Sequence, residues 1–225
     1  KDSLISLASH QLRTPATGVK QFIGMVLEGY AGKVTKEQRQ MLDKAYQSNE
    51  RQLEIINQIL HVTRADSGRL VLHKEKLDLN EIIKTVISEH SQPVKARDQK
   101  VMFKKGSPKM IISADRQYLT MAMDNLLSNA SKYSHTKTTI RITTEQVGRE
   151  VVIKVTDKGV GIHADDMHRL FQKFSRIDNE LSVEAGGNGI GLYLCREVIA
   201  LHGGDIAVES EPGKGSVFVV TLPKR

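Results

Sequence analysis

The chain has 225 residues, 39% of them hydrophobic, and a formal net charge of +7, so it can hold one large domain or two small ones around a real core. No stretch approaches the roughly 18 apolar residues that span a bilayer, which leaves a membrane attachment only to a segment outside this chain. With 4% aromatic residues and no basic run beyond two or three, it lacks the stacking platforms and the concentrated stripe of a nucleic-acid binder.

The chain opens Lys1-Asp2-Ser3, without an initiator methionine and already in a helical pattern, and reads as an excised fragment. Leu4, Ala8, Leu12, Val19, Phe22 and Val26 recur in mixed steps of three and four, the spacing of an amphipathic helix. Inside it stands Ser9-His10-Gln11-Leu12-Arg13-Thr14-Pro15. Proline deletes a backbone hydrogen bond and crowds the carbonyl four residues back, here that of Gln11, so the helix is loosened beside His10. At 3.6 residues per turn His10 lies about 200° from Ala8 and is expected to face solvent. Gly29 to Lys33 breaks the pattern, and Thr35 with Gln38 signals a capped second helix carrying Met41, Leu42, Ala45, Leu53, Ile56, Ile59 and Leu60. Two such helices form a hairpin that buries little alone, so two copies are expected to pair into a four-helix bundle.

Residues 1–66 make up this helical part, 67–77 a connecting stretch, and 78–225 a second domain of different texture. A helix capped at Asp78 is predicted to run to about Ser91. Lys100–Phe103 and Met110–Ile112 read as strands, and Asp115 to Lys132 as a helix. Thr138–Thr143 and Glu150–Val155 alternate around Val147-Gly148-Arg149, a hairpin signal. Asp205–Val208 and Ser216–Val220 form a last strand pair around Pro212-Gly213-Lys214-Gly215. Helices with mixed strands imply an α/β sandwich, and the whole chain an α+β class. The single Cys195 excludes an internal disulfide and fits a reducing, cytoplasmic setting.

Three clusters in this half carry chemistry. Asn125 and Asn129 are four residues apart and share one helical face, and an amide oxygen suits a hard cation such as Mg²⁺. Asp157-Lys158-Gly159-Val160-Gly161 follows a strand; its glycines permit a tight turn, and Asp157 can accept a hydrogen bond from an exocyclic amine. Gly186-Gly187-Asn188-Gly189-Ile190-Gly191-Leu192 precedes a helical run, where backbone N–H groups can cradle phosphate. Each motif alone is as easily a solvated helix face or a turn. Their order, with Phe171-Gln172-Lys173-Phe174 between the glycine boxes, is specific.

In that order they resemble, across essentially all 225 residues, the catalytic core of a sensor histidine kinase of two-component signalling. The resemblance implies a dimerisation and phosphotransfer domain followed by an ATP-binding domain of the type shared with type II topoisomerases and some heat-shock chaperones. It implies His10 as phosphoacceptor and ATP with Mg²⁺ as co-substrate and metal. Asn129 then coordinates the metal, Asn125 supports the phosphates, Lys132 meets phosphate and Tyr133 lines the cleft. Asp157 binds the adenine amino group between Gly159 and Gly161, and Ser216 lies at the adenine end. Residues 175–188 form a mobile lid, with Lys173 and Arg176 reaching the phosphates and Gly187, Gly189 and Gly191, ahead of Leu192, hinging it. The implied partners are a second copy of the chain and the receiver domain of a response regulator.

One position departs from the family. Gln11 stands where a glutamate or aspartate usually follows the phosphoacceptor. Its amide oxygen can orient the imidazole but cannot take its proton. Thr14 matches the position that orients water for hydrolysis of the regulator's aspartyl phosphate, which implies a phosphatase activity. The alternatives are a catalytically weak phosphorelay or scaffold module, for which Gln11 speaks, and an ATPase of the same fold without phosphohistidine.

Overall fold

The structure, a computed structural model, describes residues 2–177, 179, 181 and 187–224, with side chains from residue 11 onward. The chain divides into two compact units, Lys1–Leu70 and Val71–Arg225.

The first unit is a helical hairpin of α1 (Asp2–Leu27) and α2 (Lys36–Asp66). The expected capping box closes the start of α2: the Thr35 hydroxyl accepts from the Gln38 N–H at 3.2 Å and the Gln38 side chain accepts from the Thr35 N–H at 2.8 Å. Helix α1 runs through Pro15 without interruption. Arg13 donates to the Asn57 amide oxygen at 2.5 Å, Lys20 pairs with Glu50, and Gly24 packs on the Tyr46 ring. Each step along α1 is therefore matched by a step back along α2. Ala16, Ile56 and Leu60 are buried in the hairpin, but the apolar stripe of α1 is not covered: Leu12 is 56% exposed and Phe22 71%. One copy of the hairpin has no surface to lay over it.

The second unit begins with β1 (Glu75–Asp78), then α3 (Leu79–Glu89), α4 (Ser91–Ala96), β2 (Lys100–Lys104), β3 (Ile111–Ala114) and α5 (Arg116–Lys132). It continues through β4 (Thr139–Val147), β5 (Glu150–Thr156), a 3₁₀ turn at Ala164–Arg169, α6 (Gly191–Leu201), β6 (Asp205–Glu211) and β7 (Gly215–Pro223). The main sheet has the order β2-β4-β5-β7-β6, with β2 parallel to β4 and the other pairs antiparallel; β1 and β3 form a separate antiparallel pair. Period-two alternation turns Ile140, Ile142, Ile153, Val155, Phe218 and Val220 inward, where they share one core with Leu119, Leu126, Leu127, Cys195, Val198 and Ile199 of the helices. Arg141 and Lys154, on the alternate positions, are exposed. This is the expected α/β sandwich.

Three elements were not signalled, the 3₁₀ turn at Ala164–Arg169 among them. Strand β1 is short, with three of its four residues charged, and it exists by pairing with β3. Helix α4 carries Pro93 in its first turn, where the missing N–H has no partner to lose, so the helical run resumes after His90 instead of ending near Ser91.

Candidate active site

Asp157 lies just past the end of β5 and is 6% exposed. Its backbone N–H donates to the Ser216 carbonyl at 2.9 Å, which keeps the β5–β7 ladder going one residue beyond the strand. Its Oδ1 accepts from the N–H groups of Gly159 (2.9 Å) and Ser216 (3.2 Å). Burial pushes the carboxyl up to about 6, and those two N–H groups hold it from rising further. Among the described residues Oδ2 accepts no hydrogen bond, so it is open to an incoming donor.

The loop after Asp157 is laced to two other segments. The Val160 N–H donates to the Tyr133 carbonyl at 3.1 Å and Ser134 bridges Gly159, which ties the loop to the end of α5. A Cβ at Gly159 would lie 2.1 Å from the Tyr133 oxygen, so glycine is required by close approach. Gly161 takes φ +69° and presses against the Glu211 carbonyl, while the Gly213 N–H reaches the Val160 carbonyl at 2.7 Å. Sequence reasoning missed Ser210, which joins these pieces: its hydroxyl accepts from the Ile162 N–H, donates to the Gly215 carbonyl and meets the Ser216 hydroxyl at 2.8 Å. The Ser216 backbone thus positions Asp157, and its hydroxyl is engaged by Ser210. No local pattern marks Ser210; it is a polar residue in an alternating strand.

On α5 the two asparagines differ. The Asn125 amide donates to the Met121 carbonyl at 2.9 Å, and its oxygen abuts Gly191 at the start of α6. Asn129 is half-buried, and among the described residues its side chain makes no hydrogen bond. Lys132 is exposed and Tyr133 half-buried; burial raises the Tyr133 hydroxyl's pKa, and the nearby Arg176 guanidinium opposes that rise. Lys173 lies over the Tyr193 ring at 4.9 Å and Arg196 over Phe171 at 5.7 Å, which fastens Phe171 and Lys173 to α6. Gly189 packs against the Ser175 carbonyl, Gly187 is in open space, and Leu192 packs on the core. Asp157, Gly159, Ser216 and Tyr133, with Arg176 near the Tyr133 hydroxyl, are thus drawn together where α5 and β5 end, while Asn125 meets Gly191 further back along α5. Within the expected lid, Asp178, Glu180 and residues 182–186 lie outside the described residues.

In the helical unit His10 lies in α1, with its side-chain direction outside the described residues; Gln11 and Thr14 are exposed. Among the described residues no group of three or more His, Cys, Asp or Glu side chains is arranged to hold a metal.

Two family models match parts of the chain. Residues 1–68 match the family model described as the His Kinase A (phospho-acceptor) domain, and residues 114–225 match that of the histidine kinase-, DNA gyrase B- and HSP90-like ATPases. The chain is 30% identical over its whole length to the circadian input-output histidine kinase CikA of Synechococcus elongatus, of which it covers 30%. It is 30% identical over 97% of its length to the sensor protein kinase WalK of Staphylococcus aureus, of which it covers 52%. The chain thus spans about a third to a half of these curated relatives. Among solved structures, full-length ShkA in complex with AMPPNP superposes with a TM-score of 0.82 at 25% identity, over all of this chain and 46% of that one. The histidine kinase AdeS of Acinetobacter baumannii, at 20% identity, shares the fold with a TM-score of 0.68 over 96% of this chain and 98% of that one. With a phospho-acceptor hairpin, an ATPase sandwich and the residues of both in one order, the chain belongs to the sensor histidine kinase family.

Proposed function

We propose that this chain is the catalytic core of a homodimeric protein-histidine kinase that phosphorylates His10 from ATP and passes the phosphoryl group to an aspartate of a response regulator. The observation that carries the ATP reading is Asp157: a buried carboxylate with one oxygen fixed by two N–H groups and the other without a hydrogen bond among the described residues, beside a loop whose Gly159 and Gly161 leave no room for a Cβ. That is an acceptor for the exocyclic amine of adenine. The Asn129 amide oxygen, which among the described residues accepts no hydrogen bond, suits Mg²⁺, which when bound would neutralise charge on the transferring phosphate. Lys132, Lys173 and Arg176 add positive charge to the same side, and Tyr133 lines the cleft.

His10 supplies the nucleophile. Its unprotonated ring nitrogen attacks the γ-phosphorus in line while the bond to the ADP oxygen breaks, so the chain's task is mainly positioning and charge neutralisation. The other ring nitrogen must shed its proton, and Gln11 can only orient that N–H, so water takes the proton. Thr14, one turn beyond His10, orients water for the reverse duty, dephosphorylation of the regulator. The uncovered Leu12, Val19 and Phe22 support a second copy packing on the hairpin. No helix among the described residues is long and apolar enough to cross a membrane.

The test is incubation of the chain with γ-labelled ATP and Mg²⁺. Acid-labile, base-stable label on the wild type, absent from His10→Ala and from Asp157→Ala, is expected. A wild type that binds ATP and stays unlabelled, even as Gln11→Glu, favours the scaffold reading.

A further inference from the structure

Two side chains at the corner between α4 and β2 grip the end of the helix that carries Asn125 and Asn129. Gln99 is a long polar residue, yet it is only 4% exposed. Its Nε2 donates to the carbonyls of Ser131 (3.0 Å), His135 (3.1 Å) and Ser134 (3.3 Å), and its Oε1 accepts from the Ser131 hydroxyl at 2.6 Å. Arg97 donates through Nη2 to the carbonyls of Ser134 (3.2 Å) and Lys132 (3.3 Å). The last carbonyls of a helix have no partner within it, and they carry the negative end of its dipole. Four carbonyls at and just beyond the end of α5 are therefore collected by two donors from outside the helix. An apolar side chain would fill the space at Gln99 without satisfying any of them, so the amide is there for its hydrogen bonds.

What this clamp holds is one wall of the site. Between the gripped carbonyls of Lys132 and Ser134 stands Tyr133, whose own carbonyl accepts the Val160 N–H and abuts Gly159. Ser134 bridges the same Gly159, whose N–H holds the Asp157 carboxylate. The chain of contacts runs from Gln99 to the end of α5, from there to the glycine loop, and from the loop to Asp157. Every link is a hydrogen bond or a backbone contact too close for a Cβ.

We infer that Gln99, seconded by Arg97, is a positioning residue for the nucleotide site: through the α5 carbonyls it fixes the spacing between the Asn129 side and the Asp157 side. The functional part of this inference rests on reading that cleft as the ATP site; the coupling between Gln99 and the glycine loop does not.

The experiment uses the whole chain in three variants. Gln99→Met keeps the volume and removes all four bonds. Gln99→Asn keeps an amide too short to reach, and serves where the methionine variant does not fold. Ser131→Ala removes the hydroxyl bond alone and leaves the three-carbonyl grip. Amide hydrogen exchange without nucleotide reads the coupling. Val160 should exchange about tenfold faster or more in both Gln99 variants, while Ile153 in the middle of β5 changes little and Ser131→Ala stays near wild type. ATP titration reads the function. The Kd should rise about tenfold, or about 1.4 kcal/mol, with the rate of His10 labelling at saturating ATP within about twofold of wild type. Val160 and Ile153 accelerating together, or an unchanged Kd in a folded variant, overturns the inference. A wild type that does not bind ATP defeats the functional reading, and the exchange pattern still decides the coupling.

Discussion

Replacing Asp157 with asparagine exchanges a buried carboxyl for a neutral group of the same shape. Burial raises this carboxyl from 3.8 to about 6, with the Gly159 and Ser216 N–H groups pulling the other way. The folded protein therefore holds the proton more tightly than the unfolded chain does. Stability from this group is highest below pH 4, declines as pH rises through 4 to 6, and is level above that. At about 1.4 kcal/mol per pKa unit, the charged form costs on the order of 3 kcal/mol at neutral pH. The Asp157→Asn side chain escapes that cost and keeps an oxygen for the two N–H groups, but gains an NH₂ with no partner, worth about 1–2 kcal/mol against it. The variant's ATPase unit should be about 1–2 kcal/mol more stable than wild type at pH 7.5, and the gap should close or reverse by pH 4.5. Urea melts of both proteins at the two pH values measure this. ATP titrations run beside them should show no binding by the variant. In the wild type, affinity should fall about tenfold per pH unit below 6, because only the carboxylate accepts the adenine amine. A variant less stable than wild type at pH 7.5, with a gap that acid does not move, would refute the argument that the site stores a desolvated charge for its ligand.

Three other substitutions follow from the same physics. Gln11→Glu restores a proton acceptor beside His10, and since general-base help is typically worth about 10²–10⁴-fold, single-turnover labelling at saturating ATP should accelerate about tenfold or more; an equal or slower rate rejects that role for position 11. Thr14→Ala should leave labelling of His10 intact and abolish dephosphorylation of the cognate regulator, and continued phosphatase activity would remove Thr14 from the mechanism. His202 accepts the Asp115 N–H through Nε2 and donates from Nδ1 to the Val198 carbonyl, a pattern only the neutral ring can make, and burial depresses its pKa. The unfolded chain then takes up this proton first, so stability is full above about pH 7 and is lost as pH falls through 6.5 toward the folded value. His202→Gln should lower stability at pH 7.5 and flatten its slope between 7 and 5; an unchanged slope would assign that acid sensitivity elsewhere.

The features legible in the sequence are those whose partners lie close by in the chain. Thr35 and Gln38 cap each other across three residues, Gly148 turns one strand into the next, and Asp157 holds the N–H of Gly159 two residues on. Order along the chain then joined these pieces into a family. Gln99 was invisible because its partners lie 32 to 36 residues away and are carbonyls, which every residue has. Strand β1 was missed for the same reason, since its pairing with β3 fixes it more than its own side chains do. The stripe on α1 fails differently. Its period correctly marks a helix with an apolar face, but period says nothing about which surface covers that face. In one chain α2 covers Ala16 and leaves Leu12, Val19 and Phe22 in water. An apolar repeat that survives folding uncovered invites a second molecule, and here it falls on the helix in which His10 lies. Covering it with a second hairpin is therefore expected to stabilise the bundle, and on the proposed function this makes assembly of the hairpins a condition of the chemistry.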